Sequence, residues 1–157
     1  MNKYLLFLVG IILSLTFVSC GGDDKDDEPD FVNWNNVNLN NLESYYGYTF
    51  IAEEVIDENG TDRYSPSQYI SFVINRDNTI SVTHDVFTHT VPFTFSNGKF
   101  TYKYGVTPDI AEDKKDTYTL TFSHLNEYRL KMKYEDKSWS TGTVWDIIYR
   151  IYPQEPY

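Results

Sequence analysis

Cysteine occurs once in the 157 residues, at Cys20. A single thiol excludes an intrachain disulfide, so an apolar core alone has to hold the fold. Basic residues are scarce as well: thirteen Lys and Arg stand against twenty-three Asp and Glu, a formal charge of −10. Nucleic-acid binding rests on neutralising phosphates, and so acidic a chain is not expected to do it. The three histidines, His84, His89 and His124, show no His-x-x-x-His spacing and have no cysteine to complete a zinc-type ligand set. His84 and His124 would share a metal or a carboxylate with Asp85 only if both pointed inward, and no metal site is expected. There is no Gly-x-Ser-x-Gly elbow and no Gly-rich phosphate loop. Glu53 and Glu54 are neighbours on a strand, alternate faces, and on that reading cannot converge on one bond. The acids of the 105–116 loop (Asp109, Glu112, Asp113 and Asp116) have no rigid partner. The sequence thus gives catalysis no residue set, and neither an enzymatic activity nor a cofactor is expected.

What the chain does have begins at its start. Lys3 precedes an apolar run over residues 4–18, too short to read as a membrane span. The run ends Phe17-Val18-Ser19-Cys20, a small residue directly before the lone cysteine. This resembles the lipobox of bacterial lipoproteins, in which the cysteine receives the lipid and becomes the mature N-terminus; Phe17 departs from the Leu usual at its position. The resemblance implies a signal peptide over 1–19 and lipidation at Cys20. Each acyl CH₂ buried in a bilayer contributes roughly 0.8 kcal/mol, so several chains anchor a protein without a transmembrane helix. Residues 21–30 carry six acids and Lys25 and no apolar residue, a composition that stays extended and solvated as a tether. They lack the Gly placement and terminal Glu of a calcium loop. The stretch 23–28, Asp-Asp-Lys-Asp-Asp-Glu, resembles the export signal that sends some Gram-negative lipoproteins to the outer face of the outer membrane. An Asn-rich linker continues to residue 44, ending in a short helix or lid, with Trp34 read as the plug of a barrel end rather than an exposed ligand platform.

The middle of the chain, 69–134, shows one plan three times. An alternating run, a tight polar turn and a second alternating run occupy 69–83, 91–104 and 117–134, with turns at Asp77-Asn78, Asn97-Gly98 and Asn126-Glu127. Adding a first strand at 46–57 and a last at 143–152 gives eight strands, at about 69–76, 79–84, 90–95, 99–104, 117–124 and 128–134 between them. The inward set runs from Ile70, Phe72 and Ile74 to Trp145, Ile147, Tyr149 and Ile151, with Tyr128 among it. The opposite face is Thr, Ser, Lys and Arg, as on a sheet wetted on one side. The expected fold class is all-β, an eight-stranded antiparallel up-and-down meander over 45–157, closed as a barrel, which removes its edges, or folded as a β-sandwich.

This pattern looks like the small lipocalin-like domains carried by many bacterial lipoproteins. The residues that carry the likeness are 70–82, 94–102 and 120–130. Where lipocalins often have Gly-x-Trp on the first strand, with the Trp closing the barrel floor, this chain has Gly47-Tyr48-Thr49. The resemblance implies a barrel able to hold a small apolar ligand, and no reaction.

Aromatic residues make up 17% of the chain, and many fall on the inward face. Tyr102, Tyr104, Tyr118, Tyr134 and Trp145, with Trp139 in the 135–142 loop, are the candidate ligand-binding residues. Packed as core they would leave little room in an eight-stranded barrel, yet each buried hydroxyl needs a partner that a ligand can supply. Trp139 and Tyr64 are candidates to stack on sugar rings from exposed loops. Lys99, Lys103, Arg129, Lys131, Lys133 and Arg150 fall on outer faces and would form a basic stripe, a solvated face or a dock for an anionic partner. The reading is a monomeric, lipid-anchored envelope protein that binds a small apolar or extended ligand inside a barrel. The alternative is a solid barrel docking a glycan or a protein.

Overall fold

The computed structural model describes residues 32–65, 69–105 and 109–155. Residues 1–31, among them the apolar run, Cys20 and the acidic stretch expected to be leader, lipidation site and tether, lie outside them. The described chain is a run of antiparallel strands: β1 (Thr49–Ile56), β2 (Asp62–Tyr64), β3 (Ile70–Ile74), β4 (Thr79–His84), β5 (Phe87–Ser96), β6 (Lys99–Tyr104), β7 (Asp116–His124), β8 (Leu130–Lys137) and β9 (Val144–Gln154). Each of β3 to β9 pairs with its neighbour in sequence, and β9 returns to pair with β1 from Thr49↔Gln154 to Val55↔Tyr149. The result is a closed eight-stranded up-and-down barrel, consistent with a lipocalin-like fold; the sandwich alternative falls. The short β2 is an addition that the loop reading of 61–68 did not foresee. It pairs with Val55 and Ile56, beyond the part of β1 that β3 covers.

Local chemistry sets the hairpins. Asn97 and Gly98 both have positive φ (50° and 72°), the two-residue turn that matches strand twist and favours Asn-Gly. Asn78 (φ 62°) ends the 75–78 turn, where Asn75 donates its backbone N–H to Thr79. The stretch 85–86 is a tight turn at Asp85-Val86, with Asp85 in the left-handed region (φ 51°). Strand β5 therefore starts at Phe87 and β8 runs on to Lys137, three residues beyond its expected end. Tyr128 is no strand residue; it lies in the 125–129 connection and is exposed.

The barrel is solid at one end. The connections 75–78, 97–98 and 125–129 gather there, and residues 32–46 fold across it. Two 3-10 turns (Trp34–Asn36 and Leu42–Tyr45) are each capped by an Asn side chain accepting a backbone N–H, Asn33 from Asn35 and Asn41 from Glu43. Trp34 N–H donates to the Glu127 carbonyl, and the His124 ring nitrogen Nε2 lies 3.0 Å from the Val37 carbonyl. Tyr45, fully buried, sits in a ring of Phe50, Phe95, Phe100 and Phe122 at centroid distances of 4.8–5.9 Å, its hydroxyl donating to the Leu39 carbonyl at 2.8 Å. Trp34 packs edge-on against Tyr48 and Phe50. The packed unit thus begins at Val32, not at residue 45, and Trp34 supplies a closing indole that the first strand lacks.

A bulge in β1 shifts its register against β9 between Ala52 and Glu54. The extra residue flips the alternation, so that Phe50 and Ala52 face inward before it and Val55 after it. Glu53 and Glu54 both emerge outside, which corrects the expectation that they take opposite faces.

Candidate functional site

The other end of the barrel is open. It carries the 85–86 turn and the connections after β6 and β8, and it encloses a cup of about 380 Å³. Its walls are His84, Phe87 and His89 from the β4–β5 hairpin, Tyr102 and Tyr104 from β6, Tyr118 from β7, and Tyr134 and Asp136 from β8. Each is an inward position of its strand; Tyr102 belongs to the buried core, and Tyr104, Tyr118 and Tyr134 pack against it while only partly buried. A small-molecule site of this size has a volume near the lower end of the usual range.

The rings are ordered against each other. Tyr102 and Tyr118 stack at 5.1 Å with planes 17° apart, and His89 stacks on Tyr104 at 3.8 Å and 16°. His84 lies parallel to His89 at 6.1 Å. The Tyr102 and Tyr134 hydroxyls share a hydrogen bond. Burial, aided by Asp136, pushes the Tyr118 hydroxyl up to about 12 and those of Tyr102 and Tyr134 higher, so all three keep their protons at neutral pH. Burial, then His84, brings His89 down to about 4, leaving a neutral imidazole. Burial and the nearby Asp116 raise the Asp136 carboxyl above its ordinary value.

Among the described residues, two buried side-chain polar atoms have no protein partner: His89 Nε2 and Asp136 Oδ1. Both belong to this cup. Buried polar atoms are almost always paired in folded proteins, so two orphans on the wall residues of one cavity set this end apart from the satisfied core.

Four of the six candidate binding residues line the cup: Tyr102, Tyr104, Tyr118 and Tyr134. The other two do not. Trp145, on an inward position of β9, lies where the wall runs out and is 70% exposed. Trp139 is exposed in the 138–143 connection, with its backbone N–H donating to Asp116. They join Val86, Phe87, Val144, Tyr64 and Tyr69 as exposed large side chains on strand ends and connections of the open end. His84, His89, Phe87 and Asp136 are wall residues that the sequence reading passed over. His84 and His124 stand at opposite ends of the barrel, which corrects the idea of a shared ligand. Among the described residues no group of three His, Cys, Asp or Glu is placed to hold a metal.

Half of the basic stripe is neutralised by ion pairs. Arg129 pairs with Glu53 at 2.9 Å, Arg150 with Glu54 at 2.5 Å and with Asp62, and Lys133 with Glu135 and Asp146. Lys131 donates to the Glu58 carbonyl. The β1 bulge, by turning Glu53 and Glu54 outward together, supplies two of those carboxylates.

No family model, no curated protein and no solved structure matches the chain.

Proposed function

We propose that this is a non-catalytic, lipid-anchored protein of the cell envelope whose barrel binds a small ligand in its open end. The observation that carries the binding reading is the cup itself: four tyrosines and two unpartnered buried polar atoms around about 380 Å³. A barrel meant only to be solid would continue its core upward, as the Tyr45 layer does at the closed end. The anchoring reading rests on Ser19-Cys20 after the apolar run, and the acidic stretch 23–28 supports placement at the outer-membrane surface. Partners in this reading are the membrane, through lipidated Cys20, and one small organic ligand; nucleic acid has no place in it, and the protein acts as a monomer.

The exposed collar favours a second reading, in which the open rim docks a glycan or a protein. Tyr64, Trp139 and Trp145 offer flat faces of the kind that stack on sugars, and aromatic residues anchor interfaces.

Native mass spectrometry of the full chain, purified gently from its own envelope, tests the first reading. The expected result is an acyl adduct on Cys20 together with a small molecule that Tyr118→Ala and Tyr134→Ala variants no longer retain. A bare mass with the adduct alone, unchanged in both variants, would overturn the cup and leave the rim.

A further inference from the structure

We propose that the ligand of this cup is an organic ammonium: a flat or alicyclic apolar body bearing a protonated amine directed at the Asp136 carboxylate. The inference deepens the binding reading and rests on it.

Charge is the first argument. The only formal charge among the wall residues is the Asp136 carboxylate, and Asp116, close enough to act on it, is another acid. No Lys or Arg is among the wall residues, so an anionic ligand would meet a like charge with nothing to offset it. Burying a charge is costly unless a partner is buried with it. Oδ1 is buried without one, and a carboxylate can only accept hydrogen bonds. The missing group is therefore a donor, and a positive donor answers both the lone pair and the charge.

The walls make the second argument. Four tyrosine rings beside a carboxylate give the cup an aromatic lining, whose quadrupoles add to the attraction for a cation that meets a ring face. Tyr102 and Tyr118 stack on each other and together offer one broad aromatic wall against which a flat apolar body can lie. His89, neutral and stacked on Tyr104, adds an uncharged ring to the same wall and no repulsion for a cation. A sugar would ask for many donors and acceptors at once. The cup holds two unpaired polar atoms and mostly ring surface.

Three probes of one shape and three charges test this: 1-naphthylmethylammonium, 1-naphthylmethanol and 1-naphthoate. Each is titrated calorimetrically into the full chain in non-ionic detergent, with detergent blanks, on protein whose native mass is that of the acylated chain alone. The expected order is ammonium, then alcohol, then carboxylate, with at least about tenfold between the first two. In Asp136→Asn the preference for the ammonium over the alcohol is lost. Should that variant fail to fold, the wild-type order decides alone. Equal binding of ammonium and alcohol, or tightest binding of naphthoate, would overturn the ammonium while leaving the cup as a binding site. Binding of none of the three would overturn the cup as well.

Discussion

His89 shows how one half-buried side chain ties the cup to the stability of the whole barrel. Its imidazole is pressed on Tyr104, faces His84 from β4 and Tyr102 from β6, and shares the cup with Tyr118, Tyr134 and Asp136. Burial, then the neighbouring His84, brings its folded value to about 4, against about 6.5 in an unfolded chain. Between those values the unfolded state takes up a proton that the folded state refuses. Stability from this group is therefore complete above about pH 6.5 and lost as pH falls toward 4. His84, also lowered by burial, acts in the same direction, although Asp85 opposes it. Asp136, raised by burial, acts in the opposite one. The effect of His89 is isolated by comparison with His89→Phe, which keeps the stack and removes the proton site. From pH 7 to 4.5 the urea midpoint of the wild type should drop further than that of the variant. Parallel curves would show that the imidazole carries no net linkage.

At the scale of elements, the barrel depends on a segment outside its strands. Residues 32–46 close the solid end, and Trp34 is 2% exposed there, held through its backbone to Glu127 and through its ring to Tyr48 and Phe50. Replacing a buried indole by alanine removes that contact and leaves a cavity. Trp34→Ala should cost about 3–5 kcal/mol in urea unfolding, while Trp139→Ala, at an exposed site, should stay within about 0.5 kcal/mol. Equal effects would mean that the plug contributes nothing to the barrel. The strands themselves were legible in the sequence, because period-two alternation and Asn-Gly chemistry are local signals. The plug was legible only as a short helix or lid with a single Trp, since Phe95, Phe100, Phe122 and Glu127, which seat it, lie some fifty to ninety residues away. The β1 bulge left no mark, because Glu53-Glu54 reads as ordinary alternation until both find arginines. The cup was half legible. Its tyrosines are apolar enough to be read as inward-facing. His84, His89 and Asp136 occupy the same inward parity as Ile80, Val91 and Tyr134, but a polar residue near a strand end reads as the turn. Extending the alternation across those polar residues would have found them.

For the whole molecule, the two ends of the barrel divide the work. The closed end concentrates the aromatic core, so the open end is free to keep a cavity with polar atoms unpaired. Leaving such groups unpaired lowers stability, and the Tyr45 layer is where the fold offsets that loss. The acidic charge of the chain acts in the same direction as Asp136. Residues 31–157 carry seventeen acids against eleven bases, a field that draws cations toward the surface and weakens as salt rises. Binding of 1-naphthylmethylammonium should accordingly depend on pH with a definite sign. Asp136, raised by burial and by Asp116, must be ionised to accept the ammonium, so affinity is full well above its titration and falls as pH drops through it. Protonation of His84 and His89, which line the same cup, adds repulsion at the acid end, while Tyr102, Tyr118 and Tyr134, all raised, stay neutral throughout. Binding in turn holds Asp136 ionised, so a proton is released when the ammonium enters near the pH at which the free carboxyl titrates. Calorimetry in two buffers of different ionisation enthalpy reads that proton directly. A released proton in the wild type that disappears in Asp136→Asn locates the charge at this carboxylate. An affinity that stays flat from pH 7 to 4, with no proton exchanged, would mean that the amine is held elsewhere.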